Sequence, residues 1–256
     1  MAPPTRPWHD QFVKLYIFPI SHFSEKARWA CDYHGLDYEL VKLVPGPHML
    51  TMKRLGVRRT TVPVLEGTGQ TPIQGSDRII AHLDERHGGP GLTPRDAGWE
   101  ELVKRADLDL GEGLRRIFYA NMMTREGVIP LWSQDGAWWA KPVLHGVFPV
   151  LAKRVTQAYR LYPDDVAVAE QAFEALWVEL EAQLGDRPYL YEDRLTRADI
   201  TVASLLSPLV GPAQHPFPWS RHAHVDALLP FVARYRDRPL WRYVEALYAR
   251  DRHTAR

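Results

Sequence analysis

The order of the first apolar segments constrains the fold more than any other feature of this 256-residue chain. The run FVKLYIF (12–18) is β-branched and aromatic, as in a buried strand. A helix follows, with apolar residues at helical spacing up to Gly35, and then a second strand, DYELVKL (37–43). Because strand, helix and strand follow one another over so few residues, we predict a parallel βαβ unit with a right-handed crossover.

The next segments complete a small α/β domain. TVPVLEGTGQTPIQ (61–74) predicts two short strands around a glycine-containing turn, hence a hairpin. SDRIIAHLDERH (76–87) predicts a helix with Ser76 as its N-cap and Asp77 in its first turn. The order βαβ and then ββα closes one domain near residue 87.

The remainder of the chain predicts helices only. One continuous apolar stripe consists of Ala169, Phe173, Leu176, Trp177, Leu180 and Leu184. ITVASLLSPLV (200–210) is apolar all round, as expected for a helix at the centre of a bundle. The predicted fold class is therefore α/β plus all-α, with an N-terminal arm (1–12), an α/β domain (13–87), a Gly/Pro-rich linker (88–96) and a helical domain (97–256).

Composition excludes several functional classes. Hydrophobic residues make up 45% and charged residues 25%, as in a globular protein, and the net charge of +1 gives no global attraction to nucleic acid or an anionic membrane. The first residues lack the apolar core of a signal peptide, and no run reaches membrane-spanning length. The single cysteine, Cys31, excludes an internal disulfide and fits a reducing compartment, so we expect a cytoplasmic protein.

The cysteine and a histidine cluster carry structural interpretations. Cys31 lies on the apolar stripe of its helix, which predicts a buried, inert thiol. His215, His222 and His224 lie close together in a loop, without the helical spacing of an HExxH motif. We therefore predict surface histidines there and no metal site.

The stretch FPISHFSEKARWA (18–30) places Ser21 and Ser24 three residues apart at a predicted helix start. A serine at that position caps the helix by accepting a hydrogen bond from a free backbone N–H. Its hydroxyl can also donate to a bound thiolate, whose negative charge the helix dipole favours. No Cys-x-x-Cys motif exists, so a ligand would have to supply that thiol. We interpret Ser24, one turn further along, as a structural hydroxyl.

Two further motifs precede the third predicted helix. The proline in Val62-Pro63 cannot donate to a strand ladder, which suits a strand start or a cis turn. In QGSDRII (74–80), Ser76 is interpreted as a helix cap, and the free amides of the helix start also suit a bound carboxylate. Gln74 and Gly75 would add an amide and an unobstructed backbone beside it.

Four motifs in this order resemble the cytosolic glutathione transferases: SHFSEKARWACDYHGLDYE (21–39), TTVPVLEG (60–67), GSDRIIAHL (75–83) and LTRADITVAS (195–204). The last is similar to the helix-capping motif of that superfamily, with Thr196 and Asp199 as the capping pair. The resemblance extends from about Val13 to the last helix. It implies a thioredoxin-like N-terminal domain that binds glutathione, a helical domain that shapes the second-substrate pocket, and a homodimer.

The resemblance also assigns site residues. Ser21 falls where the serine-type classes hold their catalytic hydroxyl, and Tyr16 is expected to face away from the cleft. Val62 and Pro63 match the backbone-pairing and cis-proline positions of the glutathione site. Ser76 matches the serine that holds the γ-glutamyl carboxylate. Its neighbours Gln74 and Gly75 are further glutathione-binding candidates. The sequence departs from the superfamily at Gly75, where Glu or Gln is usual, so Gln74 becomes a candidate contact to the amino group of glutathione.

The implied function is that of a serine-type glutathione S-transferase, active in detoxification. It would add the glutathione thiolate to a small hydrophobic electrophile, or use it transiently, without a metal. Candidates for the second-substrate pocket are Ile20, His22, Tyr119 and Trp138 together with Trp139, although aromatic residues of helical domains more often form the core. Two alternatives stay open: a glutathione-dependent isomerase of the maleylacetoacetate type, and a catalytically weak ligand-binding or assembly module, which Gly75 favours.

Overall fold

A four-stranded sheet with three helices forms the N-terminal part of the protein. The computed structural model describes residues 12–252 except 70, 88, 90, 135–137 and 220–224. The strands are β1 (Lys14–Ile17), β2 (Glu39–Lys42), β3 (Val64–Glu66) and β4 (Ile73–Gln74), in the order β2-β1-β3-β4. β1 pairs with β2 in parallel and with β3 antiparallel, and β3 and β4 form an antiparallel hairpin. The predicted βαβ unit and hairpin are confirmed, with shorter strands.

Three helices accompany the sheet: α1 (His22–Tyr33), α2 (His48–Arg54) and α3 (Ser76–His87). The sequence analysis did not predict α2. This helix buries only Met52, so its sequence carries no apolar stripe of helical spacing that could reveal it.

The rest of the described chain is helical, as predicted. Its helices are α4 (Trp99–Arg105), α5 (Gly113–Met122), α6 (Arg125–Ser133), α7 (Ala140–Tyr159), α8 (Pro163–Leu184), α9 (Arg197–Val210), α10 (Leu229–Tyr235) and α11 (Pro239–Asp251). The stripe on α8 is buried, and every residue of α9 is buried, so both predictions are confirmed. Thr196 and Asp199 form the predicted capping box at the start of α9. Among the described residues, none of the helices combines the length and the apolar character that crossing a membrane requires.

A π-helical segment, Ala106–Glu112, connects α4 and α5 without a break and brings the helical region against α1. A Cβ atom on Gly111 would lie 2.6 Å from Phe23 Cζ and 3.0 Å from Leu205 Cδ2. Only glycine therefore permits this close approach of the π segment to α1 and α9. Because α1 also packs against α3 and α9, it joins the sheet region to the helical region, and its first turn lies where the two regions meet.

Candidate functional site

Ser21 lies between β1 and α1 and caps the helix. Its backbone is extended, with φ −83° and ψ 117°, and its Oγ accepts a hydrogen bond from Ser24 N at 3.3 Å. The Ser21 N–H itself donates to the Phe18 carbonyl at 3.0 Å, which closes the turn after β1. The capping interpretation is thus confirmed. It leaves the hydroxyl hydrogen of Ser21 available to a ligand, because that bond uses only a lone pair of Oγ.

Ser21 also lines a large cavity between the sheet region and the helical region. The cavity has a volume of about 690 Å³ and reaches from the turn after β1 to α5, α6 and α7. Of the predicted second-substrate residues, Ile20, His22 and Tyr119 line it. Trp138 does not line it: this side chain is 89% exposed, because it lies in the turn before α7, ahead of the first buried residue of that helix, Ala140. Trp139 is likewise exposed and away from the cavity.

Val62 lines the cavity near Ser21, and the Val62–Pro63 peptide bond is cis, as the resemblance implied. β3 begins only at Val64, so Val62 lies before the strand ladder. The Pro63 carbonyl accepts a hydrogen bond from Gly75 N at 3.0 Å. This bond places the start of α3 beside the cis bond.

The start of α3 differs from the prediction by one residue. The helix begins at Ser76, and its first helical bond runs from Ile79 N to the Gly75 carbonyl at 3.1 Å, so Gly75 occupies the N-cap position. Ser76 is buried in the first turn. Gly75 has φ +100°, a region that other residues rarely adopt, which gives a conformational reason for glycine here.

The Gln74 side chain is engaged elsewhere. Its Nε2 donates to the carbonyls of Arg59 and Thr61 at 2.7 Å each, and its Oε1 accepts from Arg59 N at 3.3 Å. These bonds hold the loop that leads to Val62. Gln74 would have to break them to reach the amino group of a tripeptide bound at Ser76, so in this structure it positions the loop.

Two histidines of the cavity wall are uncharged at neutral pH. Burial, reinforced by the nearby Arg115 guanidinium, lowers the pKa of His22 to about 3, although the Gly111 carbonyl acts in the opposite direction. Burial also lowers the pKa of His48, whose Nε2 lies 2.9 Å from the Thr60 carbonyl oxygen. With a pKa of about 3, His22 is too weak a base to remove a proton from a thiol.

The tyrosine of β1, Tyr16, does not line the cavity, as expected. The Tyr16 hydroxyl donates to Glu66 Oε2 at 2.6 Å, and the ring packs among Met52 and Val64. Tyr16 therefore cannot stand in for Ser21 as the group beside a bound thiol.

Sequence reasoning missed a charged cluster that joins α1, α3 and the π segment. The Lys26 side chain is fully buried, with Nζ 2.7 Å from both Asp77 Oδ1 and Asp107 Oδ1. Arg197 of α9 adds a longer contact to Asp77, at 3.4 Å. The sequence offers little indication of this cluster: it shows only a lysine one helical turn after His22, and its burial is visible in the structure alone.

The remaining reactive side chains have structural surroundings. Cys31 is fully buried and burial raises its thiol pKa, which confirms an inert thiol. The prediction of a surface histidine is wrong for His215, which is buried because its ring packs against Tyr248 and its Nδ1 accepts from Phe217 N at 2.9 Å. His222 and His224 lie outside the described residues. Within the described ranges, no group of three or more His, Cys, Asp or Glu residues has an arrangement that could hold a metal ion.

Part of the chain is similar in sequence to known proteins. Residues 15–91 match the family described as "Glutathione S-transferase, N-terminal domain". Glutathione S-transferase Z1 of Arabidopsis thaliana is 35% identical over 99 residues, which is 38% of this chain and 42% of that protein. A probable glutathione S-transferase of Nicotiana tabacum is 28% identical over 115 residues, 45% of this chain and 50% of that protein. The chain thus spans half or less of the length of the curated relatives it matches.

Solved structures share the fold over nearly the whole chain. A glutathione S-transferase of Ceriporiopsis subvermispora in complex with glutathione has a TM-score of 0.60 at 17% identity, covering 94% of this chain and 98% of that one. The β-etherase LigF of Sphingobium has a TM-score of 0.59 at 20% identity, covering 91% and 98%. The fold is therefore that of these glutathione transferase structures, and residues 15–91 match the family of the glutathione S-transferase N-terminal domain.

Proposed function

We propose that this protein is a serine-type glutathione transferase that adds the glutathione thiolate to a small hydrophobic electrophile, or uses it transiently. The observation that carries the proposal is the position of Ser21. Its hydroxyl lies at the start of α1, in the wall of a cavity that Val62 also lines, within a domain of the glutathione S-transferase N-terminal family. The solved relative from Ceriporiopsis subvermispora contains glutathione, which supports the choice of thiol.

In the proposed complex, Ser21 donates its hydroxyl hydrogen to the glutathione sulfur. The donor and the helix dipole both favour the thiolate over the thiol. If the thiol pKa falls from about 8.5 to roughly 6.5, the thiolate fraction at pH 7 rises about 25-fold, while intrinsic nucleophilicity falls about 8-fold. The net gain is only about threefold. Most of the acceleration therefore has to come from holding the thiolate and the electrophile together in the cavity.

The proposed anchors of glutathione are the backbone at Val62 and the start of α3, two segments that the hydrogen bond from Gly75 N to the Pro63 carbonyl connects. The backbone of Val62 precedes the β3 ladder and can pair with an extended peptide, a form of strand addition. Ser76 and the free amides of the first turn of α3 would hold the γ-glutamyl carboxylate. Gly75 supplies no side chain for the amino group. This favours the second candidate function, a ligand-binding or assembly module of the same fold with little activity.

A thermal titration tests the assignment. If glutathione binds at Val62 and Ser76, it should raise the melting temperature by simple linkage, increasingly with its concentration. S-Methylglutathione is the matched ligand, because it keeps the tripeptide anchors and loses the ionisable thiol. No shift at millimolar glutathione would overturn the assignment, and a shift with another small thiol would redirect it.

The resemblance also bears on assembly, domain boundaries and location. We propose a homodimer, which light scattering at micromolar concentration should show as about twice the 29.4 kDa of the chain. We propose the domain boundaries 13–87 and 97–256 with a linker at 88–96. The dependence on a reduced thiol ligand and the single unpaired Cys31 support a cytoplasmic location.

A further inference from the structure

One part of the cavity lining consists of three aromatic rings in contact. The rings of Tyr119 and Tyr159 are parallel to within 3°, with centroids 5.7 Å apart. Trp132 meets Tyr119 edge-on, and its Nε1 donates to the Tyr119 hydroxyl at 3.2 Å. All three residues line the cavity. Burial raises the pKa of Tyr119 to about 12, so this wall remains uncharged and suits a flat aromatic ring.

A cation extends this aromatic wall. The Arg115 guanidinium lies over the Tyr159 ring, 4.2 Å from its centroid, and also lines the cavity. One of its terminal nitrogens is paired with Glu112, the last residue of the π segment. Its Nε is buried and has no hydrogen-bond partner among the described residues. The Arg115 side chain as a whole is 23% exposed, so part of it is open to a ligand in the cavity, although the buried Nε is not.

The other charges leave the cavity lining positive. Among its described residues, the further side chains charged at neutral pH are Arg154, on α7, and Glu126, on α6. His22 and His48 are neutral for the reasons given above. Arg154 and Glu126 are both solvent-exposed, whereas Arg115 is largely buried, so Arg115 has the stronger effect on a bound ligand.

We propose that the second substrate is a flat aromatic compound that carries a carboxylate. Its ring packs against Tyr119 and Tyr159, and its carboxylate accepts hydrogen bonds from Arg115, with Arg154 adding longer-range attraction. The assignment of this ligand as the electrophile rests on the proposed function. The anion site itself rests on the cavity alone and can be tested without glutathione.

The test uses two unreactive probes of nearly equal shape, 2-naphthoate and the uncharged 2-naphthamide, titrated calorimetrically against the full chain without glutathione. We expect naphthoate to bind about tenfold more tightly or better, because a charge-assisted hydrogen bond to a largely buried guanidinium distinguishes the two probes. Arg115→Met should abolish most of that preference while changing naphthamide binding less than about twofold. Glu126→Gln, which removes the carboxylate of the lining, should strengthen naphthoate binding modestly.

The outcomes separate the two proposals. Equal binding of the two probes, or an Arg115→Met variant that weakens both equally, overturns the anion site. If Arg115→Met misfolds, Arg154→Met and Arg115→Lys provide the same comparison with smaller expected losses. A naphthoate preference without any glutathione binding would leave the anion site standing and overturn the transferase. If glutathione binds and Arg115→Met raises the pKa of the bound thiol without altering the probe preference, Arg115 serves the thiolate and the inference is wrong.

Discussion

Arg252 Nε lies 2.6 Å from Glu25 Oε1, so the residue after α11 is bound directly to α1. Its Nη1 also contacts Asp32 Oδ2 at 2.8 Å, and the three side chains are almost completely buried. Burial alone would raise the pKa of Glu25, but the Arg252 guanidinium holds it below its usual value. The pairing fixes the helix that carries Ser21 at its start.

Removing one member of this buried network should destabilise the protein strongly. In Arg252→Met, Glu25 and Asp32 keep buried charges without their partner, so we expect a loss of about 3–5 kcal/mol in the free energy of unfolding. Arg234→Met is the control, because its pair with Glu170 is solvent-exposed and should contribute less than about 1 kcal/mol. Urea denaturation of both variants measures the difference. Equal losses would show that the network contributes no more than a surface pair.

The Lys26 cluster predicts a pH dependence of stability. Burial, with help from neighbouring Asp77 and despite Lys26, raises the pKa of Asp107 to about 7. In the unfolded chain, the Asp107 carboxyl has its ordinary pKa of about 3.9. Between about pH 4 and 7, unfolding therefore releases a proton. The stability that Asp107 contributes falls as the pH rises through this range. Relative to Asp107→Asn, the wild type should therefore lose stability from about pH 4 to 7, and the difference should level off above about pH 7.

Asp77→Asn is the matched comparison within the same cluster. Burial opposes ionisation of Asp77, but Lys26 lowers its pKa overall, so its contribution is present above about pH 4 and is lost only below that. Denaturation curves at pH 5, 6, 7 and 8 should show the full trend against Asp107→Asn. The trend against Asp77→Asn should be smaller, because that variant keeps Asp107 and loses only the neighbouring carboxylate that helps to raise its pKa. Trends of equal size in the two comparisons would contradict the assignment of the raised pKa to Asp107.

The sequence predicted most elements of the fold because their patterns are local. The stripe on α8, the all-apolar α9 and the Thr196–Asp199 capping box each follow from spacing within one helix, and all are present. α2 escaped because it buries a single residue. The start of α3 was misplaced by one residue because both Gly75 and Ser76 are acceptable N-cap residues.

The site was less predictable because its parts meet only through tertiary contacts. Ser21, Val62 and Tyr119 line one cavity, whereas the Trp138 side chain is exposed to solvent. Arg115 had no sequence signal, since its role depends on the stacking with Tyr159, 44 positions further along the chain. Lys26 is likewise explained only by two carboxylates that α3 and the π segment supply.

Two substitutions of Gly75 test separately its backbone conformation and the missing side chain, since Glu or Gln is usual at this position in the superfamily that the sequence resembles. At φ +100° any side chain is strained, although a Cβ atom at this position would meet no described atom within 4 Å, so Gly75→Ala should cost about 1–3 kcal/mol of stability. Gly75→Glu should cost a similar amount and, in addition, should bind glutathione more tightly by placing a carboxylate near its amino group. Chemical denaturation and calorimetric titration measure the two effects. Equal glutathione affinities for the Ala and Glu variants would argue against an amino-group contact at this position.

Ser21 is the residue on which the proposed mechanism depends. If its hydroxyl donates to the thiolate, Ser21→Ala should raise the pKa of bound glutathione and slow turnover by about 10- to 150-fold, the loss expected for a charge-assisted hydrogen bond of roughly 1.5–3 kcal/mol. Glutathione affinity should change much less, because the anchors at Val62 and Ser76 remain. The free energy of unfolding of Ser21→Ala should fall by about 1 kcal/mol whether or not the hydroxyl serves the thiolate, because Ser21 Oγ accepts a hydrogen bond from Ser24 N.

Ser24→Ala provides the control for that experiment. The Ser24 hydroxyl is buried without a hydrogen-bond partner in the described part of the chain and does not line the cavity, while its backbone N–H, which donates to Ser21 Oγ, is retained in the variant. This change should leave the thiol pKa and the rate per folded molecule as they are. Ultraviolet titration of the bound thiolate and the pH–rate profile distinguish the roles. An unchanged profile in Ser21→Ala, at verified glutathione occupancy, would reduce Ser21 to a helix cap and leave the activation of the thiol to another group.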